Sequence, residues 1–362
     1  MGERGFATFR MSSLCCWTML VLLSSRHIEA DERHSPEQQP LQRFEFLQIR
    51  MAIPVRITVY AADEPTANQA TQAAYARFKE LDRLLSHYDP DSELSKLCKH
   101  AKVGESQPVS RELLTVLAAA NRISRQTDGA FDVTVGPLMD LWRKSRRQGV
   151  LPSEEVLADA RRSVGYQNLL VDSEAKTVTF DCAGVRLDLG GIAKGYAADE
   201  ALRVLRKHGV DIALIDAGGD IVAGAPPPGK NYWRIGIAPL DSPDGTPTRF
   251  LKLKHAAVAT SGDAAQFVEI EGVRYSHILD PHTGLGLTTH SSVTVIAPDG
   301  ITADAWASAI SVLGAERGVE KLTRHVPFAS ASVVSRHDSE LITIESTRFS
   351  DYDLPDTDST DH

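Results

Sequence analysis

A chain of 362 residues, 42% of them hydrophobic and 24% charged, is long enough to bury one large core or two smaller ones. Lys and Arg number 39 against 48 Asp and Glu, a formal net charge of −9, and no long basic run occurs. That balance excludes the electrostatic footprint of a nucleic-acid-binding protein and leaves small molecules and other proteins as the expected partners.

At the N-terminus, Arg4 and Arg10 precede an apolar run over residues 11–23, and Ala30 offers a cleavage position, which is the pattern of a secretory signal over residues 1–30. The run is short for a membrane span. Ile28, three places before that cut, is a poor signal residue, so an uncleaved N-terminal anchor with membrane association is the alternative. Once 1–30 is removed, Cys98 and Cys182 are the remaining cysteines, too few for a disulfide framework.

Residues 31–43 are polar and read as a linker, and the folded domain is expected over 44–346. EFLQIRMAIPVRITVYA, residues 45–61, alternates as a strand pair with Pro54 marking an edge or bulge, and helical spacing follows over 66–85. Ser92 and Ser110 are placed as N-caps of two helices, the second ending before Gly129. From residue 168 onward the signal is of short strands: NLLV, TVTF, VRLDLG, IALIDAG, YWRIGIA, FLKLK, AVATSG, FVEIEG and SSVTVIA. Helices are expected between them at about 192–208 and 302–313. Many strands with few intervening helices argue for an α+β fold rather than a regular parallel sheet. Residues 347–362, ending SDYDLPDTDSTDH, are expected to be an acidic, disordered tail.

Several stretches can carry chemistry. In LDLGGIAKGYAADEAL, residues 187–202, Gly190 and Gly191 stand where a strand gives way to a helix, and Lys194 follows in the first turn. Such an entrance binds a phosphate, or it simply lets the helix pack on the strand with Lys194 in water. Asp188 beside it favours a ligand with more than a phosphate, because a lone carboxylate repels one. RYSHILDPHTGLGL, residues 274–287, places His277 at the mouth of a tight turn, either as a hydrogen-bonded structural residue or as a proton-transfer group. His277 and His282 are five apart with Pro281 between them, which rules out the helical His-x-x-x-His zinc pair. In ITADAWASAI, residues 301–310, Asp304 and Ser308 lie one turn apart on a helix face. They form either a polar surface pair or two oxygens for a hard cation such as Mg2+. The glycines and aspartates of DAGGDIVAG and TDGAFDVTVGPLMDLW read as turns, and Tyr88 lies beside a turn where its ring either stacks on a ligand or packs into a core.

In order, YDPDSELSKL, TDGAFDVTVGPL, LDLGGIAKGYAAD, DAGGDI, WRIGI, AVATSGD, YSHILDPHTG and ADAWASAI resemble the ApbE family of FAD:protein FMN transferases over residues 51–314. The resemblance implies an ApbE-like, T-fold-related arrangement of mixed β-sheets with packed helices. It implies a Mg2+-dependent enzyme, periplasmic or attached to the outer face of the cytoplasmic membrane. Such an enzyme splits the FAD pyrophosphate, joins FMN by a phosphoester to a Ser or Thr of an acceptor flavoprotein, and releases AMP. The acceptor pattern implied is Asp-x-x-Ser/Thr-Gly-Ala-Ser/Thr. By the same resemblance Met51, Tyr88, Ala130, Phe131, Asp132, Asp188, Lys194 and Ile278 contact FAD. Gly191, through its backbone, would hold Mg2+ with Asp304 and Ser308, and His277 is the catalytic histidine. Met51-Ala52-Ile53 departs from the family's common Met-Gly-Thr, and Ser308 stands for a commoner threonine while keeping the oxygen. Asp216 and Cys98 stand where asparagine is frequent. The alternatives are an FAD pyrophosphatase using water in place of the acceptor hydroxyl, and a flavin-binding protein without turnover.

Overall fold

A computed structural model describes residues 40–242, 245–264 and 266–354. The expected export segment, most of the linker and residues 355–362 of the tail lie outside the described residues. Among those described, no helix is long and apolar enough to cross a membrane.

The chain opens with a hairpin of β1 (Gln42–Arg50) and β2 (Ile53–Ala61). Its two-residue turn, Met51 and Ala52, is left-handed at both positions, with φ of 49° and 61°. That is the sense of twist a tight hairpin demands, and a glycine would adopt it without the roughly 1 kcal/mol that a Cβ adds. Gln42 and Arg43, expected in the linker, instead pair with Ala61 and Tyr60, because the alternation that buries Phe44 and Phe46 continues back through them. Then come α1 (Glu64–Leu85), α2 (Glu93–His100), β3 (Gln107–Pro108) and α3 (Arg111–Gln126). Asp63, Ser92 and Ser110 cap the three helices by accepting from the N–H three residues on. Next are α4 (Gly136–Gln148), α5 (Glu154–Arg161), β4 (Leu169–Asp172), β5 (Thr177–Phe180) and α6 (Ala193–Lys207). Seven strands follow: β6 (Ala213–Ala217), β7 (Asp220–Ala223), β8 (Trp233–Ile237), β9 (Arg249–Leu253), β10 (Ala256–Gly262), β11 (Phe267–Ile270) and β12 (Val273–Ser276). The fold closes with β13 (Ser291–Ala297), α7 (Gly300–Leu313), α8 (Ala315–His325), β14 (Ser330–His337) and β15 (Glu340–Glu345).

Eight strands make the central sheet in the order β1-β2-β6-β7-β10-β13-β14-β15. Every pairing within it is antiparallel, so the fold is α+β with its mixture lying in helices and strands together rather than in strand direction. α1, α6, α7 and α8 cover one face, where Phe78, Leu81 and Trp306 meet Ile57, Ile215 and Val293. On the other face Trp233, Ile235, Leu251 and Leu253 from the β8–β9 ribbon pack on Val258 and Ile296. β10 and β13 are therefore apolar toward both faces, as a sheet centre covered twice requires.

Two further expectations are corrected. VRLDLG forms no strand: Gly136 N donates to Arg186 O, Asp188 N to Val133 O, and Leu187 N to the Cys98 sulfur, so this segment pairs with the 133–136 loop instead of a sheet. The start of the expected tail is ordered. Phe349 is fully buried in the second core beneath the Arg249 guanidinium, Arg249 pairs with Asp353 at 2.7 Å, and Leu354 N donates to Phe250 O. One aromatic anchor and one half-buried ion pair override the acidic composition there.

A third, smaller core joins α4 to the β11–β12 hairpin. Trp142, fully buried, donates its indole N–H to Ser276 O at 3.1 Å and so holds the backbone just ahead of His277.

Candidate active site

A cavity of about 510 Å3 opens where α4, the N-terminal end of α6, one face of α7 from Asp304 to Val312, the end of β10 and the turn after β12 converge. Tyr88, Ala130, Phe131 and Asp132 stand on its walls, as do Asp188, Gly191 and Lys194 from the α6 entrance. His277, Ile278, Asp304 and Ser308 complete the set. Met51 is not among the lining residues; it sits half-buried in the β1–β2 turn against the main core, and Ile53 and Gly218 occupy the wall nearest to it.

The floor holds one cation between two carboxylates. Lys194 is hydrogen-bonded to Asp220, and its ammonium lies 3.7 Å from Asp304 Oδ1. Asp304 Oδ2 accepts from Gly195 N at 3.1 Å. Both aspartates are only 4% exposed. Burial pushes the Asp220 carboxyl up to about 7, with Asp304 adding to the push and Lys194 opposing it. Burial likewise raises Asp304 against the pull of Lys194. Burial alone would lower Lys194, but Asp304 and Asp220 override it and hold the ammonium above its ordinary value. With both carboxyls ionised, two negative charges face one ammonium, an excess that a divalent cation suits.

The residues around this floor fit a magnesium ion. Asp304 and Ser308 present oxygen one helical turn apart, and Gly191 faces them: a Cβ at Gly191 would lie 2.9 Å from Ser308 Oγ and 3.4 Å from the Phe131 ring. The missing side chain leaves that space open and the glycine backbone accessible. Among the described residues no cluster of three or more His, Cys, Asp or Glu can hold a metal by itself. A hard ion here therefore depends on hydroxyl and backbone oxygens and on oxygens of the ligand, as Mg2+ commonly does.

The opposite wall is basic and aromatic. Asp188, 8% exposed, accepts from Gly190 N at 2.9 Å and from Arg143 Nη2 at 2.5 Å, with His87 Nδ1 3.6 Å away. Tyr88 is 72% exposed, and its ring faces the Arg143 guanidinium at 5.1 Å. Arg146 Nε and His87 Nε2 are buried without a hydrogen-bond partner. Burial, helped by Arg143, pulls the Arg146 guanidinium below its ordinary value. The orphaned Arg146 Nε–H beside a cavity is what an anionic, hydrogen-bond-accepting ligand would satisfy. Asp132 serves the local backbone instead. Its carboxyl accepts from Thr134 N at 2.8 Å and Thr134 Oγ1 at 2.7 Å, shaping the turn that presents Ala130 and Phe131. Burial pushes that carboxyl up against the pull of Thr134.

At the mouth, His277 N donates to Gln266 O at 3.0 Å, and Nδ1 lies 3.2 Å from the same carbonyl. A carbonyl can only accept, so Nδ1 carries the proton and Nε2 is left as the basic nitrogen. Burial lowers the His277 pKa, the Gln266 carbonyl opposes that, and Arg146 and Lys194 reinforce it. The imidazole is thereby neutral and ready to accept a proton near pH 7.

Sequence reasoning passed over His87, Arg143, Arg146 and Gln266, and treated Asp220 as a turn residue. Arg143 and Arg146 had a readable signal: they are three apart on α4, which has Pro137 in its first turn and Gly149 at its left-handed end with φ 67°. Gln266 carried none, since it acts through its backbone.

The ApbE family model matches residues 51–330. Among curated proteins, the FAD:protein FMN transferase of Vibrio cholerae is 37% identical over 250 residues, covering 66% of this chain and 74% of that protein. The FAD:protein FMN transferase of Klebsiella pneumoniae is 32% identical over 267 residues, 72% of this chain and 76% of the relative. The solved flavin transferase ApbE from Vibrio cholerae superposes with a TM-score of 0.77 at 29% identity over 86% of this chain and all of the other. The ApbE protein from Thermotoga maritima gives a TM-score of 0.77 at 32% identity over 87% of this chain and 100% of its own. The family match spans both sides of the cavity, from the β1–β2 turn through α7 to the start of β14, and on that extent the chain belongs to the ApbE family.

Proposed function

We propose that the chain is an FAD:protein FMN transferase that works with Mg2+ on an acceptor flavoprotein outside the cytoplasm. One observation carries the reading: a single cavity brings a neutral histidine, a carboxylate-rich floor and an arginine wall around one space of about 510 Å3. The activity is the one for which the curated relatives are named. Export is inferred from Arg4, Arg10 and the apolar run over 11–23.

In this reading Arg143 and Arg146 take the pyrophosphate, Tyr88 offers an exposed ring to a flat part of FAD, and Asp188 keeps Arg143 aimed at the cavity. Asp304, Ser308 and the Gly191 backbone would hold Mg2+, which when bound neutralises phosphate charge and favours departure of AMP. His277 Nε2 takes the proton of the acceptor Ser or Thr hydroxyl as its oxygen attacks the FMN phosphorus. The new P–O bond forms as the bond to the AMP phosphate breaks, and AMP leaves with the electron pair. The acceptor carries an Asp-x-x-Ser/Thr-Gly-Ala-Ser/Thr-like segment.

The test incubates the chain with FAD, Mg2+ and a soluble acceptor bearing that segment, and reads the acceptor's intact mass with and without chelator. An FMN-sized increment that chelator abolishes is expected. AMP without an adduct would point to hydrolysis, and FAD retained with neither product would point to a flavin-binding protein. A separate prediction concerns Tyr88. Its replacement by alanine removes an exposed stacking surface, so FAD affinity is expected to weaken by about 1–3 kcal/mol, with no comparable loss of melting temperature. Titration of flavin fluorescence checks it; unchanged affinity would remove Tyr88 from the binding wall.

A further inference from the structure

α6 and α7 exchange carboxylates across their contact, each carboxylate reaching backbone N–H groups near the start of the other helix. Asp199 on α6 accepts from Gly300 N at 2.7 Å and Ile301 N at 3.0 Å, the first two N–H groups of α7. Asp299 takes the third, from Thr302 at 3.0 Å. In return Asp304 on α7 accepts from Gly195 N on α6 at 3.1 Å. Between these bonds the two backbones touch: a Cβ on Gly195 would lie 2.0 Å from Gly300 O, and one on Gly300 would lie 2.5 Å from Gly195 O.

Helices ordinarily set their relative register by interlocking side chains. At Gly195 and Gly300 there are none to interlock, so at this end the register depends on the two reciprocal hydrogen-bonded carboxylates. α6 and its entrance carry Gly191 and Lys194; α7 carries Asp304 and Ser308. Asp199 itself stands on a separate cavity of about 350 Å3 that shares no lining residue with the candidate active site.

We propose that Asp199 is a positioning residue for the magnesium site, holding α7 against α6 so that Asp304 and Ser308 face Gly191. The inference rests on the reading that these residues hold Mg2+. Because Mg2+ demands near-ideal octahedral geometry, a small slide of α7 along α6 is felt at the metal before it is felt by the flavin.

The test uses the full chain carrying His277→Ala, so that bound FAD persists, and follows Mn2+ binding by the loss of the free-ion paramagnetic resonance signal. Adding Asp199→Asn keeps the side-chain volume but replaces one acceptor oxygen by a donor. The Mn2+ dissociation constant is expected to rise about 10- to 100-fold, with FAD affinity within about threefold. Asp299→Ala removes the side-chain cap of the same helix without touching α6, and is expected to lower the melting temperature while leaving Mn2+ affinity unchanged. Should Asp199→Asn fail to fold, Asp199→Glu, which displaces the carboxylate by one methylene, is expected to show the same rise. Mn2+ affinity within twofold of the parent in whichever Asp199 variant folds would overturn the proposal, as would an equal rise in Asp299→Ala. A parent that binds FAD but no Mn2+ would overturn the metal reading itself, and this inference with it.

Discussion

Replacing His277 by alanine is expected to slow FMN transfer by about 10²- to 10⁴-fold while FAD affinity changes by no more than a few-fold. The asymmetry follows from the geometry. The imidazole is held by the Gln266 carbonyl at the cavity mouth, whereas the arginine wall and the carboxylate floor belong to other elements. Intact mass of the acceptor at saturating FAD measures the first quantity, and flavin fluorescence the second. Near-normal transfer would leave His277 a structural residue of the β12 turn. The pH profile supplies an independent check. Burial lowers the pKa from its ordinary 6.5, so Nε2 becomes protonated and inert only as pH falls through that lowered value. The acid limb of transfer is therefore expected to be centred below pH 6.5. An acid limb centred above 6.5 would contradict the assignment.

Asp304→Ala is expected to abolish most metal-dependent turnover, by about 10²-fold or more, and to leave the fold intact. The substitution removes the carboxylate in excess on the floor and leaves Lys194 paired with Asp220. Against that relief stands the Gly195 N–H, which loses its acceptor in a buried position at about 1–3 kcal/mol. Circular dichroism and AMP release across a range of Mg2+ concentrations separate the two effects. Folded protein with ordinary turnover at ordinary Mg2+ would reject Asp304 as a ligand. Loss of activity matched by loss of structure would reduce it to a helix-packing residue.

Local rules made part of this legible in the sequence. Ser92 and Ser110 cap their helices as read, since a hydroxyl three residues before a free N–H is a local event. Asp304 and Ser308 share a helix face for the same reason, and the α+β class followed from counting strands against helices. Long-range pairing was not readable. Lys194 meets Asp220 from 26 positions away, a meeting that depends on α6 lying over β7. The extended 185–190 segment has the apolar pattern of a strand, but its N–H and C=O groups go to the 133–136 loop and to Cys98, which only the assembled fold decides. Phe349 was hidden by the acidic residues around it, because composition averages over the one side chain that anchors the segment. Met51 is a different case: the motif match implies a contact with FAD, and the structure shows a residue that makes the left-handed hairpin turn and does not line the cavity.

Lys194 makes the chain its own counter-ion reservoir. An ammonium already seated between Asp220 and Asp304 spares the fold the repulsion of two bare carboxylates, so folding need not wait for a metal as it does in a zinc finger. In the proposed Mg2+ reading, loading the site would exchange one cation's contacts for another's. On that footing a chelator would silence the protein without unfolding it, and the ion would come and go on a scaffold that is complete before it arrives.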